Sequence, residues 1–199
     1  LFLQEHNFSI AHVEDRWFAV AIRSPCVKLD VIIAHGVVVW GDSKKQIAEA
    51  VLMWKSISAY CHSRPSPHHP VVLLIDANTK LGSVRSTAIG DRAPDHENEA
   101  GEALHQTMLD FDLAAPSTFH EYHRGQDYTW TGGPGFTTRI DFVIVPRSWL
   151  PGAVFSKVLI DVDLLASAPD HFCTAAGFSL STTSAKEVGS RRIITQRDR

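Results

Sequence analysis

Val71-Val72-Leu73-Leu74-Ile75-Asp76-Ala77-Asn78 is the stretch on which the fold turns. Its apolar run has the length and composition of a buried strand, and it stops on an acid followed two residues later by an amide. A carboxylate beside such a run is costly to bury without a partner or a metal. The pattern recurs in Arg139-Ile140-Asp141-Phe142-Val143-Ile144-Val145, and a third acid stands in Ala168-Pro169-Asp170-His171. Three acids, an Asn and a His placed in this way read as one metal-assisted hydrolytic site, assembled at one edge of a sheet.

Outward from these runs the chain alternates strands and helices. Residues 1–5, 16–23 and 28–39 are strand-like, the last rich in β-branched side chains. Ser43 with Gln46 has the spacing of a capping box. The helix after it sets Ile47, Ala50, Val51, Trp54, Ile57 and Cys61 on one face. Ser63-Arg64-Pro65-Ser66-Pro67-His68-His69-Pro70 is a loop by composition. His62, His68 and His69 lack ligand spacing and are read as loop residues. Residues 78–98 form a long polar loop, and a second helix carries Ala100, Leu104, Met108 and Phe111 on one face. Further strands are expected at 128–131, 139–146, 154–164 and 171–180. This pattern makes residues 1–180 one α/β (α+β) layered domain, with 181–199 a polar disordered tail or linker.

Composition narrows the class. At 199 residues, 44% apolar and 21% charged, the chain is an ordinary globular domain with room for a substantial core. A formal charge of −3 gives no general footprint for nucleic acid, although an acid cluster would have its charge cancelled by a bound ion. Cys26, Cys61 and Cys173 are too few and too scattered for a disulfide framework or a structural zinc site. No apolar run approaches membrane-spanning length and the start lacks a signal-peptide pattern. An intracellular protein of nucleus or cytoplasm, not secreted and with no membrane partner, is expected. The chain begins without Met and is read as incomplete at its N-terminus.

Leu3-Gln4-Glu5, Ile33-Ala34-His35, Asp76-Ala77-Asn78 with Leu81-Gly82, Asn98-x-x-Gly101-x-x-Leu104, Tyr128-Thr129-Trp130, Arg139-Ile140-Asp141-Phe142 and Asp170-His171 follow one another in a meaningful order. In that order and spacing the chain resembles the endonuclease/exonuclease/phosphatase superfamily. It looks closest to the endonuclease domains that accompany reverse transcriptases in non-LTR retroelements. The resemblance covers residues 1 to about 178. It implies a two-sheet β-sandwich flanked by helices with the site at one end. It also implies Mg²⁺ (or Mn²⁺) as cofactor, nucleic acid, expected to be DNA, as substrate, and a reverse transcriptase domain downstream in the full-length protein.

The resemblance assigns roles residue by residue. Glu5 and Asp170 would be metal ligands. Asp76 would position or deprotonate the attacking water, and Asn78 would hold the scissile phosphate. Asp141 would orient His171, which acts on the phosphate as base or cation. His35 would donate to the phosphate, while Trp130 and Arg139 would help to grip the substrate. Each has a plainer reading: Glu5 an exposed acid past a strand, Asp76–Asn78 an Asx turn, Asp141 an ion-pair partner of Arg139, and Tyr128 a core residue.

The sequence departs from the family at three places. Gly36-Val37-Val38-Val39 stands where a Pro usually follows His35. A strand before Glu5 is lacking, and ten residues separate Glu5 from Arg16 where a strand pair is usual. A missing strand exposes backbone on its neighbours, so the isolated chain is expected to be poorly stable or weakly active. Two other readings remain at this point. One is a phosphatase or phospholipase-type member of the same superfamily, acting on inositol phosphates or sphingomyelin. The other is a non-catalytic remnant that binds nucleic acid or a partner.

Overall fold

The computed structural model describes residues 4–133, 135–162 and 170–179. Residues 1–3 of the expected first strand and the expected tail at 181–199 lie outside them. In chain order the elements are β1 (Phe8–Val13), β2 (Trp17–Arg23), β3 (Lys28–His35), α1 (Lys44–Ser63), β4 (Val71–Asp76), α2 (Glu99–Asp110) and β5 (Leu113–Ala114). Then follow β6 (Trp130–Thr131), β7 (Thr137–Thr138), β8 (Asp141–Pro146), β9 (Ala153–Leu159) and β10 (Cys173–Phe178). A six-stranded sheet runs in the order β1-β2-β3-β4-β8-β5, with β9–β10 and β6–β7 as separate two-stranded sheets. Only β3 and β4 are parallel within the large sheet, and α1 makes the crossover that a parallel pair needs.

Alternation along the strands sorts the sheet into two faces. Ala19, Ile32, Leu73, Ile75, Phe142 and Ile144 point to one side, where they pack with Trp54 and Ile57 of α1 and with Leu104 and Met108 of α2. The apolar face expected of each helix is therefore the one buried. The other side carries Phe18, Val20, Val31, Ile33, Val72, Leu74 and Val143. Over part of it lies β10, and Ile33, Leu74 and Val143 share a cavity wall with Phe172, Cys173 and Thr174. The sandwich is thus lopsided among the described residues: six strands in one layer and β9–β10 in the other.

Several boundaries differ from the sequence reading for physical reasons. Phe8–Val13, which the sequence reading missed, forms β1 and pairs antiparallel with β2, so the backbone of β2 is not left open on that side. The expected strand at 28–39 ends at His35 because Gly36 turns into a tight approach. Its N–H donates to Asp76 O at 2.7 Å, and a Cβ there would lie 2.1 Å from Ala77 O. The capping box at Ser43 is not made. Gln46 Oε1 instead accepts the Trp40 N–H at 2.9 Å, which ties the preceding loop to the first turn of α1.

Two buried polar clusters brace the scaffold. Asp30 of β3 receives Arg64 at 2.7 Å and Arg23 at 2.5 Å, which locks the end of α1 and its Pro-rich loop to the sheet. In the 78–98 loop, Glu97 accepts Gly82 N–H at 3.1 Å and meets His105 Nδ1 at 3.2 Å. His105 Nε2 in turn lies 2.7 Å from Ser86 Oγ. That loop is polar in composition but is anchored to α2. No helix among the described residues is long and apolar enough to cross a membrane.

Candidate active site

Strand pairing assembles the site. In the antiparallel β4–β8 ladder Asp76 is paired with Asp141, and in the parallel β3–β4 ladder His35 is paired with Asp76. Asp76 and Asp141 therefore project together on the face that β10 partly covers, at the end of the sheet where β3 and β4 finish. Just before β10, His171 forms a bridge to Trp130 of β6 and brings its ring onto the acids. Its Nδ1 is 3.1 Å from Asp141 Oδ2 and its Nε2 is 4.0 Å from Asp76 Oδ2. Asp76, Asp141 and His171 offer ligand atoms that all lie within 4.8 Å of one another.

Burial is the main reason the Asp141 carboxyl sits above the ordinary carboxylate range. The charge of Asp76 adds to this, while hydrogen bonds from Thr129 and His171 and the charge of His171 oppose it. Two facing carboxylates with one raised pKa are a donor set that a cation relieves. Carboxylate oxygens suit Mg²⁺ or Mn²⁺, which keep several waters, so the residues present fit the group.

Asn78 lines the cleft and also makes the turn. β4 stops at Asp76, so the two do not alternate along one continuing strand. Asn78 instead adopts φ 47°, a left-handed conformation that Asn tolerates better than most residues. Its N–H donates to Asp76 Oδ1 at 3.0 Å, the Asx turn, and its Nδ2 donates to Gly36 O at 3.1 Å. Asp76 and Asn78 still line one cleft of about 520 Å³, shared with His35, Lys80, Trp130, Asp170 and His171. His35 Nε2 is 3.6 Å from Asp76 Oδ2.

The structure places the other expected site residues elsewhere. Arg139 is buried at 5% exposure. It donates to Asp127 O at 2.8 Å, Asp127 Oδ1 at 3.2 Å and Arg92 O at 3.2 Å. This guanidinium braces loops and does not face the cleft, so the expectation that it grips substrate is corrected, as is its ion pair with Asp141. Glu5 lies in a 3-10 turn before β1. Phe8 is level with Ile22, Ile22 with Leu29, and the neighbouring Asp30 with Val71. Glu5 is therefore at the end of the sheet where β4 begins, opposite the end that carries Asp76. Asp170 is exposed on the cleft wall outside the three-residue cluster, and its Oδ2 accepts the Trp130 indole N–H at 3.3 Å.

Four contributors escaped the sequence reading. Thr129 Oγ1 accepts the N–H groups of Ile140 and Asp141 at 3.1 and 3.0 Å and so fixes the start of β8. Arg16, at the start of β2, brings Nη1 to 3.5 Å from His35 Nδ1 and 3.4 Å from Gly36 O. Lys80 and Trp40 line the cleft. Lys80 follows the Asp-x-Asn stretch closely and could have been suspected; Arg16 and Trp40 carry no local signal.

No protein-family model matches the sequence, and no curated protein matches it. Solved structures do. The 3'-5' exonuclease NExo from Neisseria meningitidis superposes with a TM-score of 0.62 at 20% identity, covering 87% of this chain and 70% of that one. An AP endonuclease from Archaeoglobus fulgidus gives 0.63 at 16%, covering 87% and 71%. The endonuclease domain of TRAS1, a telomere-specific non-LTR retrotransposon, gives 0.56 at 17%, covering 88% and 71%. At such identities the likeness establishes a shared fold.

Proposed function

We propose that this chain, which has the endonuclease/exonuclease/phosphatase fold, hydrolyses phosphodiester bonds of nucleic acid with an activated water and a divalent cation. The finer assignment is a DNA endonuclease of the kind that retroelements carry. One observation carries the reading: Asp76, Asp141 and His171 converge at a sheet end, and Asp76 and His171 line a cleft large enough for a nucleotide.

Asp141, beside Asp76, would hold Mg²⁺ or Mn²⁺, which when bound supplies charge stabilisation to the phosphoryl oxygens. Asp76 takes the proton of the attacking water through Oδ2, since Oδ1 already accepts the Asn78 N–H. Asn78, held by Gly36 O, keeps one amide hydrogen for a non-bridging oxygen. Asp141 orients His171 through Nδ1, so that Nε2 meets the phosphate. His35 donates from the other side of Asp76, and Asp170 is an outer acid that steadies Trp130.

Nicking of supercoiled plasmid tests this directly. The unaltered chain should convert supercoiled to nicked circles with Mg²⁺ and stop on adding EDTA, and Asp76→Ala should slow it by about 100-fold or more. Absence of metal-dependent nicking, or an unchanged rate in the variant, overturns the proposal. Release of phosphate from monoesters without nicking would move the assignment to a phosphatase.

A further inference from the structure

The cleft beside Asp76 is larger than a phosphate group needs. Its roughly 520 Å³ falls among cavities that hold whole small molecules, about 300–1,000 Å³. Away from the acids its walls are apolar and aromatic, with Val38, Trp40, Trp130, Phe136 and Ile140. Trp40 is 74% exposed, the highest value among the large hydrophobic side chains described. An exposed indole at a cleft mouth is a surface awaiting a partner. Its backbone is held, because the Trp40 N–H bonds to Gln46 on α1.

The Trp130 and Phe136 side is built rigidly. The Trp130 indole donates to Asp170, and its ring lies so close over Gly132 that a Cβ there would fall 2.0 Å from it. Phe136 meets Trp130 edge to face, with centroids 5.8 Å apart and planes at 84°. Lys80 Nζ lies 5.5 Å from the Phe136 ring centre, so a cation adjoins the aromatic wall. Flat apolar surfaces, a cation and a hydrolytic cluster within one cleft match the parts of a nucleotide: base, backbone phosphate and scissile bond.

We propose that the cleft is a nucleobase slot with Trp40 as a specificity-determining residue. A base neighbouring the scissile phosphate leaves its stack and lies against Trp40 and the Trp130–Phe136 wall, while Lys80 meets the backbone. The proposal rests on the reading of the site as a nucleic-acid phosphodiesterase. Stacking on aromatic rings is tolerant of base identity because every base has a π-face. The slot therefore selects an unstacked strand, single-stranded or locally distorted, over regular duplex, where extrusion has an energetic cost.

The test reads binding without turnover. Fluorescence anisotropy in EDTA measures the affinity of a labelled single-stranded thymidine oligonucleotide and of an abasic-backbone oligomer of equal length. Trp40→Ala should weaken the thymidine oligonucleotide by about 5- to 150-fold and leave the abasic oligomer unchanged. Trp40→Phe should restore most of the loss. Equal affinities in Trp40→Ala and the unaltered chain, or equal losses on both oligomers, overturn the slot. So does competition by a hexose phosphate with none by a nucleoside monophosphate, which would make the aromatic wall a sugar platform. Since no cleavage is needed, failure here is separate from failure of plasmid nicking.

Discussion

Asp76 and Asp141 are cross-strand partners on one face of the β4–β8 ladder, two carboxylates placed where like charges repel. Burial and the neighbouring charge raise the Asp141 pKa, so this carboxyl binds a proton more readily folded than unfolded. By linkage its contribution favours the folded state at low pH and is lost as pH rises through the folded value. At neutral pH the pair opposes folding. Asp141→Asn should therefore raise the melting temperature in EDTA by a few degrees, on the order of 1 kcal/mol, while lowering nicking steeply. Calorimetry of both proteins in EDTA checks it; a less stable variant contradicts it.

His123 gives the opposite pH dependence. It is fully buried, with Nδ1 3.0 Å from Ser156 Oγ and Nε2 2.8 Å from Gln126 O. Burial, aided by the charges of Arg139 and Arg92, lowers its pKa, while the Gln126 carbonyl and Asp127 oppose that shift. The unfolded chain therefore binds a proton that the folded one refuses, and stability falls as pH drops through about 6.5. Urea titrations at pH 7.5 and 5.5 should show this loss, and His123→Asn should flatten the difference whatever its absolute stability. An unchanged difference rejects the assignment.

Asp30 sits between Arg64 and Arg23 with almost no exposure. Removing it leaves the Arg64 charge buried and unpaired, which costs about 3–5 kcal/mol. Asp30→Ala should shift the urea midpoint far down or unfold the chain. A change under about 1 kcal/mol would mean that water reaches Arg64.

Gly36 lets the end of β3 lie against Ala77, and this close approach sets His35 beside Asp76. Gly36→Ala must push that backbone apart, at about 1–3 kcal/mol of overpacking, and should reduce nicking as well as stability. Gly125→Ala, at φ 83° with open space around it, should cost stability through its backbone conformation and spare nicking. Equal activity in both variants would show that the His35–Asp76 placement does not depend on Gly36.

Much of the candidate site was legible because an acid beside an apolar run is costly to bury alone, whatever plainer role such as an Asx turn it also plays. That logic singled out Asp76, Asp141 and His171, which the fold brings together, and the helix faces followed from their period. It failed where a contact depends on which way the chain turns next. Arg139 shares a run with Asp141, yet its guanidinium goes to Asp127, a pairing set by a loop with no periodic signal. Glu5 precedes a strand that runs toward the site, so the pairing leaves it at the opposite end of the sheet, and only the register shows this. Gln46 had the spacing of a cap and bonds to Trp40 instead, since a side-chain amide serves either N–H equally well. β1 was missed because its six residues mix Ser and His into a short apolar pattern.

The central claim is that Asp141 and His171 act as one unit on a phosphodiester. Plasmid nicking rates of Asp141→Ala, His171→Ala and the double variant, at saturating Mg²⁺, test it most directly. Groups that work together are lost together, so each single variant should fall by about 100-fold or more and the double variant should be no slower than the worse single. Single variants that keep the unaltered rate, or losses that multiply in the double variant, would contradict the account.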